Sequence, residues 1–157
     1  MDLNAFGHAV QSSSFGVWAG GEAYPFANLV HILGLIMLVG GIGILDLRLA
    51  GLFRRLPAAP LASALTPIAL AGLLLMIPSG VTMFAADASA LIHSTTFRTK
   101  LLLIALALAN AAAFRFLWHA RIEQWDADPP AWGRLMAAAS LLLWLSVASL
   151  GRWIAYS

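Results

Sequence analysis

The sequence predicts an all-α fold: a transmembrane up-and-down four-helix bundle with a short N-terminal interfacial helix. Three observations carry this. Hydrophobic residues make up 61% of the 157-residue chain and charged residues 10%, whereas soluble domains are nearer half apolar and a quarter charged. Four apolar stretches, about 28–50, 61–86, 97–118 and 132–154, are each long enough to cross a bilayer. The connections between them hold turn formers and seven of the 16 charged residues. The chain thus divides into an N-terminal segment, 1–27, and a bundle, 28–157, with no room for a separate soluble domain.

Composition also excludes chemistry. Cysteine is absent, which removes disulfides, thiolate metal sites, iron–sulfur clusters and covalent c-type haem attachment. His, Met and carboxylates remain as the strong side-chain ligands. Nine Lys and Arg stand against seven acids. They read as topology signals rather than as a nucleic-acid surface. The first residues lack the basic n-region of a signal peptide.

In residues 1–27, Leu3, Phe6, Val10, Phe15 and Trp18 recur at roughly helical spacing among Asn4, His8 and Gln11. This predicts a short amphipathic helix on the membrane surface; the alternative is a disordered polar tail. Gly20-Gly21 and Tyr24-Pro25 predict a turn into span one. Span one carries Gly34, Gly40, Gly41 and Gly43, which let a neighbouring backbone approach closely. A short basic loop with Arg54-Arg55 leads to span two, where Pro67 and Pro78 each free a carbonyl. Pro78-Ser79-Gly80 is expected to weaken that helix near its end. The polar connection 87–96 contains His93. In span three, Ala105, Ala109 and Ala113 form a small-residue stripe, Asn110 is expected to hydrogen-bond a neighbour, and Lys100 can snorkel. Arg121 to Pro130 reads as a mixed-charge loop before span four.

Six basic residues (Arg48, Arg54, Arg55, Arg115, Arg121 and Arg134) fall on one side and three (Arg98, Lys100 and Arg152) on the other. The positive-inside rule makes the first side cytoplasmic and puts both termini outside. Trp18, Tyr24, Trp153 and Tyr156 form an outer aromatic belt, and Trp118, Trp125 and Trp132 an inner one. The expected location is a bacterial inner membrane.

The polar residues of the spans separate into two layers. His31 and Asp46 are fifteen residues apart, or about 22 Å along a helix, so one ligand pair cannot join them. The outer layer holds His31, His93, Lys100, Arg152 and, if the N-terminal helix folds over, His8. Two imidazoles across a bundle can ligate b-type haem without cysteine. His31 and His93 are the candidate iron ligands, with His8 as substitute. Arg152, Lys100 and Arg98 are candidates for the propionates, and Gly34 for relieving crowding against a flat macrocycle. The plainer reading makes His31 a hydrogen-bonded bundle residue and His93 solvated. Met83 with His31 or His93 could instead hold Cu(I).

The inner layer holds Asp46, Arg48, Arg115 and His119. Asp46 and Arg115 fall at similar depth, which predicts a structural ion pair that fixes helix register. Arg48, two residues after Asp46, is expected to face lipid headgroups. No nucleophile elbow, phosphate loop, HExxH pattern or paired carboxylates occur, so hydrolytic catalysis is not expected.

Asp46-Leu47-Arg48-Leu49-Ala50-Gly51 closes span one and Gly151-Arg152-Trp153-Ile154-Ala155-Tyr156 closes span four. With His31-Ile32-Leu33-Gly34 and with Phe97, Lys100 and Asn110, these motifs resemble an uncharacterised family of small bacterial four-span inner-membrane proteins. The resemblance runs from about Tyr24 to Tyr156. It implies the architecture and the membrane, and no activity. Members often carry a histidine after the Phe of span three, where this chain has Arg115. That departure tells against an inner-side haem or metal site. In general shape the bundle is also similar to b-type membrane cytochromes, an analogy of fold alone.

Three functional expectations follow. The first is a membrane redox component holding haem b near its outer face, with a quinone or a redox protein as partner. The second is a cofactor-free accessory subunit of a larger membrane complex or homo-oligomer. The third is a carrier of copper or a small solute.

Overall fold

The computed structural model describes residues 2–154. Tyr156, assigned above to the outer aromatic belt, lies outside them. Four helices are long and apolar enough to cross a membrane: α3 (Ala23–Ala50), α4 (Ala58–Ala86), α6 (Thr95–Trp118) and α7 (Ala131–Trp153). Two short helices precede them, α1 (Leu3–Gln11) and α2 (Ser14–Gly20), and α5 (Ala88–Leu91) sits between α4 and α6. A 3-10 turn, His119–Gln124, continues α6. No strand occurs among the described residues. The chain is a small integral membrane protein.

Two spans begin earlier than expected, and proline explains both. Pro25 and Pro60 fall in the first turns of α3 and α4, where a missing N–H has no partner to lose. Tyr24-Pro25 is therefore helix rather than turn. Pro67 and Pro78 also lie inside an unbroken α4. Near Pro78, the Ser79 hydroxyl donates to the Leu75 carbonyl at 2.7 Å and the Thr82 hydroxyl to the Pro78 carbonyl at 3.0 Å. These bonds supplement the helical pattern where the ring interrupts it.

The N-terminal segment is ordered, against the tail alternative, and forms two helices. Ser13 separates them. Its Oγ donates to the Val10 carbonyl at 2.6 Å and accepts from Gly16 N–H at 3.1 Å, ending one helix and capping the next. α1 packs on α5 and α2 on α4. Gln11 Oε1 accepts from the Ser89 N–H at 3.0 Å.

Packing among the spans is uneven. α3 is central and packs against α4 and α7, and α6 packs against α7. α4 and α6 make almost no close backbone approach; the stacked rings of Phe84 and Phe97, 5.5 Å apart, bridge them near one end. The tight contact is between α3 and α4. A Cβ on Gly34 would stand 2.7 Å from the Gly72 carbonyl oxygen, and one on Gly72 would stand 2.6 Å from the Gly34 oxygen. The two glycines let the backbones touch. One core cluster gathers Leu38, Ala69, Ala107, Trp144 and Val147; a second gathers Leu45, Leu49, Ala58, Trp125 and Ala137.

Candidate functional site

The outer polar layer draws on all four spans. His31 lies on α3 and Ser79 on α4, with Nδ1 and Oγ 3.0 Å apart. Ser79 has one hydroxyl proton, and it points to the Leu75 carbonyl. In the tautomer that carries its proton on Nδ1, His31 donates to the Ser79 oxygen; the Met76 backbone is a further hydrogen-bond partner of the ring. The ring rests on α4, where a Cβ on Gly80 would be 3.3 Å from His31 Cε1. From α6, Lys100 reaches α7, with Nζ 3.2 Å from where a Cβ on Gly151 would stand.

The other outer candidates lie further out. Arg152 follows Gly151, is exposed and is engaged in the structure. His93 is exposed in the turn before α6, and its carbonyl accepts from Arg98 Nη2 at 3.1 Å. His8 is exposed on α1, with Nδ1 3.4 Å from Ser89 Oγ. Among the described residues no group of three or more His, Cys, Asp or Glu could hold a metal ion. Ser79 and Gly151 were not anticipated. The signal for Ser79 was the Pro78-Ser79-Gly80 run, read as a weak point rather than as an anchor.

The inner layer departs from expectation. Asp46 and Arg115 do not pair. Arg115 is exposed and meets His119, four residues on, at 3.0 Å. Asp46 is buried, faces Ser140 of α7, and its Oδ2 has no hydrogen-bond partner. Arg48 does not face headgroups. It is 4% exposed, donates through Nε to the Leu56 carbonyl, and forms an ion pair with Asp126. Asp126 also accepts from the Ala58 N–H, with Oδ1 at 3.1 Å and Oδ2 at 3.2 Å. It thus caps α4, whose own N-cap residue, Pro57, offers no side-chain acceptor.

The end of α3 accounts for this cluster. A helix leaves its last four carbonyls unpaired. Gly51, at φ 117°, turns the chain back so that the Gly51 and Leu52 N–H groups bond the Arg48 and Leu47 carbonyls. The remaining two accept from side chains: Leu49 from Trp125 Nε1 at 3.2 Å, and Ala50 from Arg134 Nε at 3.0 Å. Trp125 is therefore buried at 1% exposure rather than in an aromatic belt. Asn110 bonds a neighbour as expected, donating to the Met136 carbonyl at 3.0 Å.

Neither a curated protein nor a solved structure matches the chain. A family of unknown function, DUF6644, matches residues 8–157, and these include both polar layers and all four spans. The chain belongs to the DUF6644 family of unknown function.

Proposed function

We propose that this protein is a small membrane redox component that holds a b-type haem at the His31 end and exchanges electrons there with a quinone or a partner redox protein. The observation that carries the reading is the anchored imidazole of His31. Its Nδ1 is hydrogen-bonded to Ser79 of the neighbouring span at 3.0 Å, the kind of partner that holds the ring of a metal-ligating histidine in place. His93 is the opposite ligand in this reading, with His8 as substitute, and Lys100 and Arg152 pair with propionates. The haem supplies the one-electron chemistry. Gly34, expected to relieve crowding against the macrocycle, packs on the Gly72 backbone instead, so the reading rests on the donors. In this reading the His31 end faces the periplasm of a bacterial inner membrane, as the distribution of basic residues suggests.

The test is an optical spectrum of detergent-purified protein expressed with excess haem precursor, air-oxidised and then reduced with dithionite. A Soret band that shifts on reduction, with sharp α and β bands that His31→Ala abolishes, supports the reading. A colourless protein, one carrying stoichiometric copper instead, or a His31→Ala variant with a full spectrum would each sink it.

A second reading, an accessory subunit without a cofactor, is favoured by span three. Ala107 is the buried residue of α6, and Leu101, Leu102, Leu106, Phe116 and Leu117 are exposed. A colourless protein that co-purifies in a stable larger assembly would support it, and a chromophore in an isolated monomer would count against it.

A further inference from the structure

The basic end of the bundle encloses a cavity of about 170 Å³ lined by Arg48, Arg54, Arg134, Gly51, Trp125 and Asp126, among others. Three arginines and one aspartate thus contribute to its lining. Arg48 is already paired with Asp126. The other two are held in place by backbone acceptors. Arg54 Nε donates to the Gly51 carbonyl at 3.1 Å and Arg134 Nε to the Ala50 carbonyl at 3.0 Å. Among the described residues, no protein acceptor takes the remaining donors of Arg54 and Arg134. The Arg134 fork lies over Gly51, with Nη2 2.7 Å from where a Cβ there would stand.

A solvated Arg on a free stem would scatter its charge. Here both side chains are tethered through Nε to backbone carbonyls while lining the same cavity. The uncompensated charge in that space is positive. Guanidinium forks converging from a loop and a helix suit a tetrahedral oxyanion with several acceptor oxygens. The position, at the ends of the spans, is where basic pockets between membrane helices meet lipid headgroups.

We propose that this cavity binds a phosphoryl oxyanion, presented by an anionic phospholipid headgroup or as free phosphate. The site is separate from the His31 end, and its failure leaves the haem reading standing.

The test uses the full chain, delipidated in detergent. Phosphatidylglycerol is titrated and followed by native mass spectrometry; inorganic phosphate is titrated by calorimetry. Arg134→Gln and Arg54→Gln remove cavity donors, and Arg115→Gln removes an exposed charge that does not line it. Binding of phosphatidylglycerol that weakens about tenfold in both cavity variants, the loss of one charge-assisted contact, and is unchanged in Arg115→Gln supports a lipid occupant. The same pattern with inorganic phosphate supports a soluble one. Arg54 is exposed and outside the core clusters, so Arg54→Gln remains informative if Arg134→Gln misfolds. Absence of binding by both probes, or equal weakening in Arg115→Gln, overturns the proposal.

Discussion

Arg48, buried in the last turn of α3, donates to the carboxylate of Asp126, a residue 78 positions further along the chain. The same carboxylate closes the N-terminus of α4. One side chain thus joins the end of one span to the start of the next.

Removing that carboxylate leaves a buried guanidinium without its counter-charge and an uncapped helix. Asp126 is itself partly exposed, which places the cost between that of a surface pair and that of a fully buried one. Asp126→Ala is expected to destabilise the protein by about 1–3 kcal/mol, read as a lower thermal midpoint in detergent. Arg48→Met combined with Asp126→Ala should recover part of the loss, because it leaves no charge stranded. A double variant no better than the single one would contradict this account.

The α3–α4 crossing makes a sharper steric prediction. Gly34→Ala and Gly72→Ala each place a methyl within 2.7 Å of a backbone oxygen and should each cost about 1–3 kcal/mol by overpacking. Gly40 has open space around it, so Gly40→Ala should cost nothing. The comparison of midpoints among the three variants checks it.

Ser79→Ala removes the hydroxyl that hydrogen-bonds His31. If His31 ligates haem, that loss should weaken haem retention about 10- to 100-fold, measured by transfer to apomyoglobin, while the protein still folds. Unchanged retention would mean that the imidazole is oriented by something other than Ser79.

Asp46 has a buried oxygen without a partner. Asp46→Asn keeps the shape and removes any charge, so stability should change by no more than about 1 kcal/mol. A large loss would show that the carboxylate has a partner besides Ser140.

Some of this was legible in the residues and some was not. The four spans follow from run length and apolarity alone, because a bilayer demands both. The outer layer was legible as a set of residue types at one depth. The anchoring of His31 was not, since it depends on the rotation of α4 about its axis, and that is set by the Gly34–Gly72 contact. The Asp46–Arg115 pair failed because equal depth does not determine which way a side chain turns. Arg115 finds His119 on its own helix. Arg48 and Trp125 were misread because their partners are backbone carbonyls and a loop carboxylate. A rule could have found them. Gly51 ends α3 and satisfies only two of its last four carbonyls, so two further donors had to come from elsewhere, and Trp125 and Arg134 supply them.

The loose contact between α4 and α6 has a mechanical meaning. α6 meets the rest of the bundle chiefly through α7, which in turn packs on α3, so α6 is tied to the backbone-to-backbone pair of α3 and α4 at one remove. With Ala107 as its buried residue, α6 leaves most of its surface to lipid. A change in hydrocarbon thickness therefore acts on α6 more directly than on the α3–α4 pair.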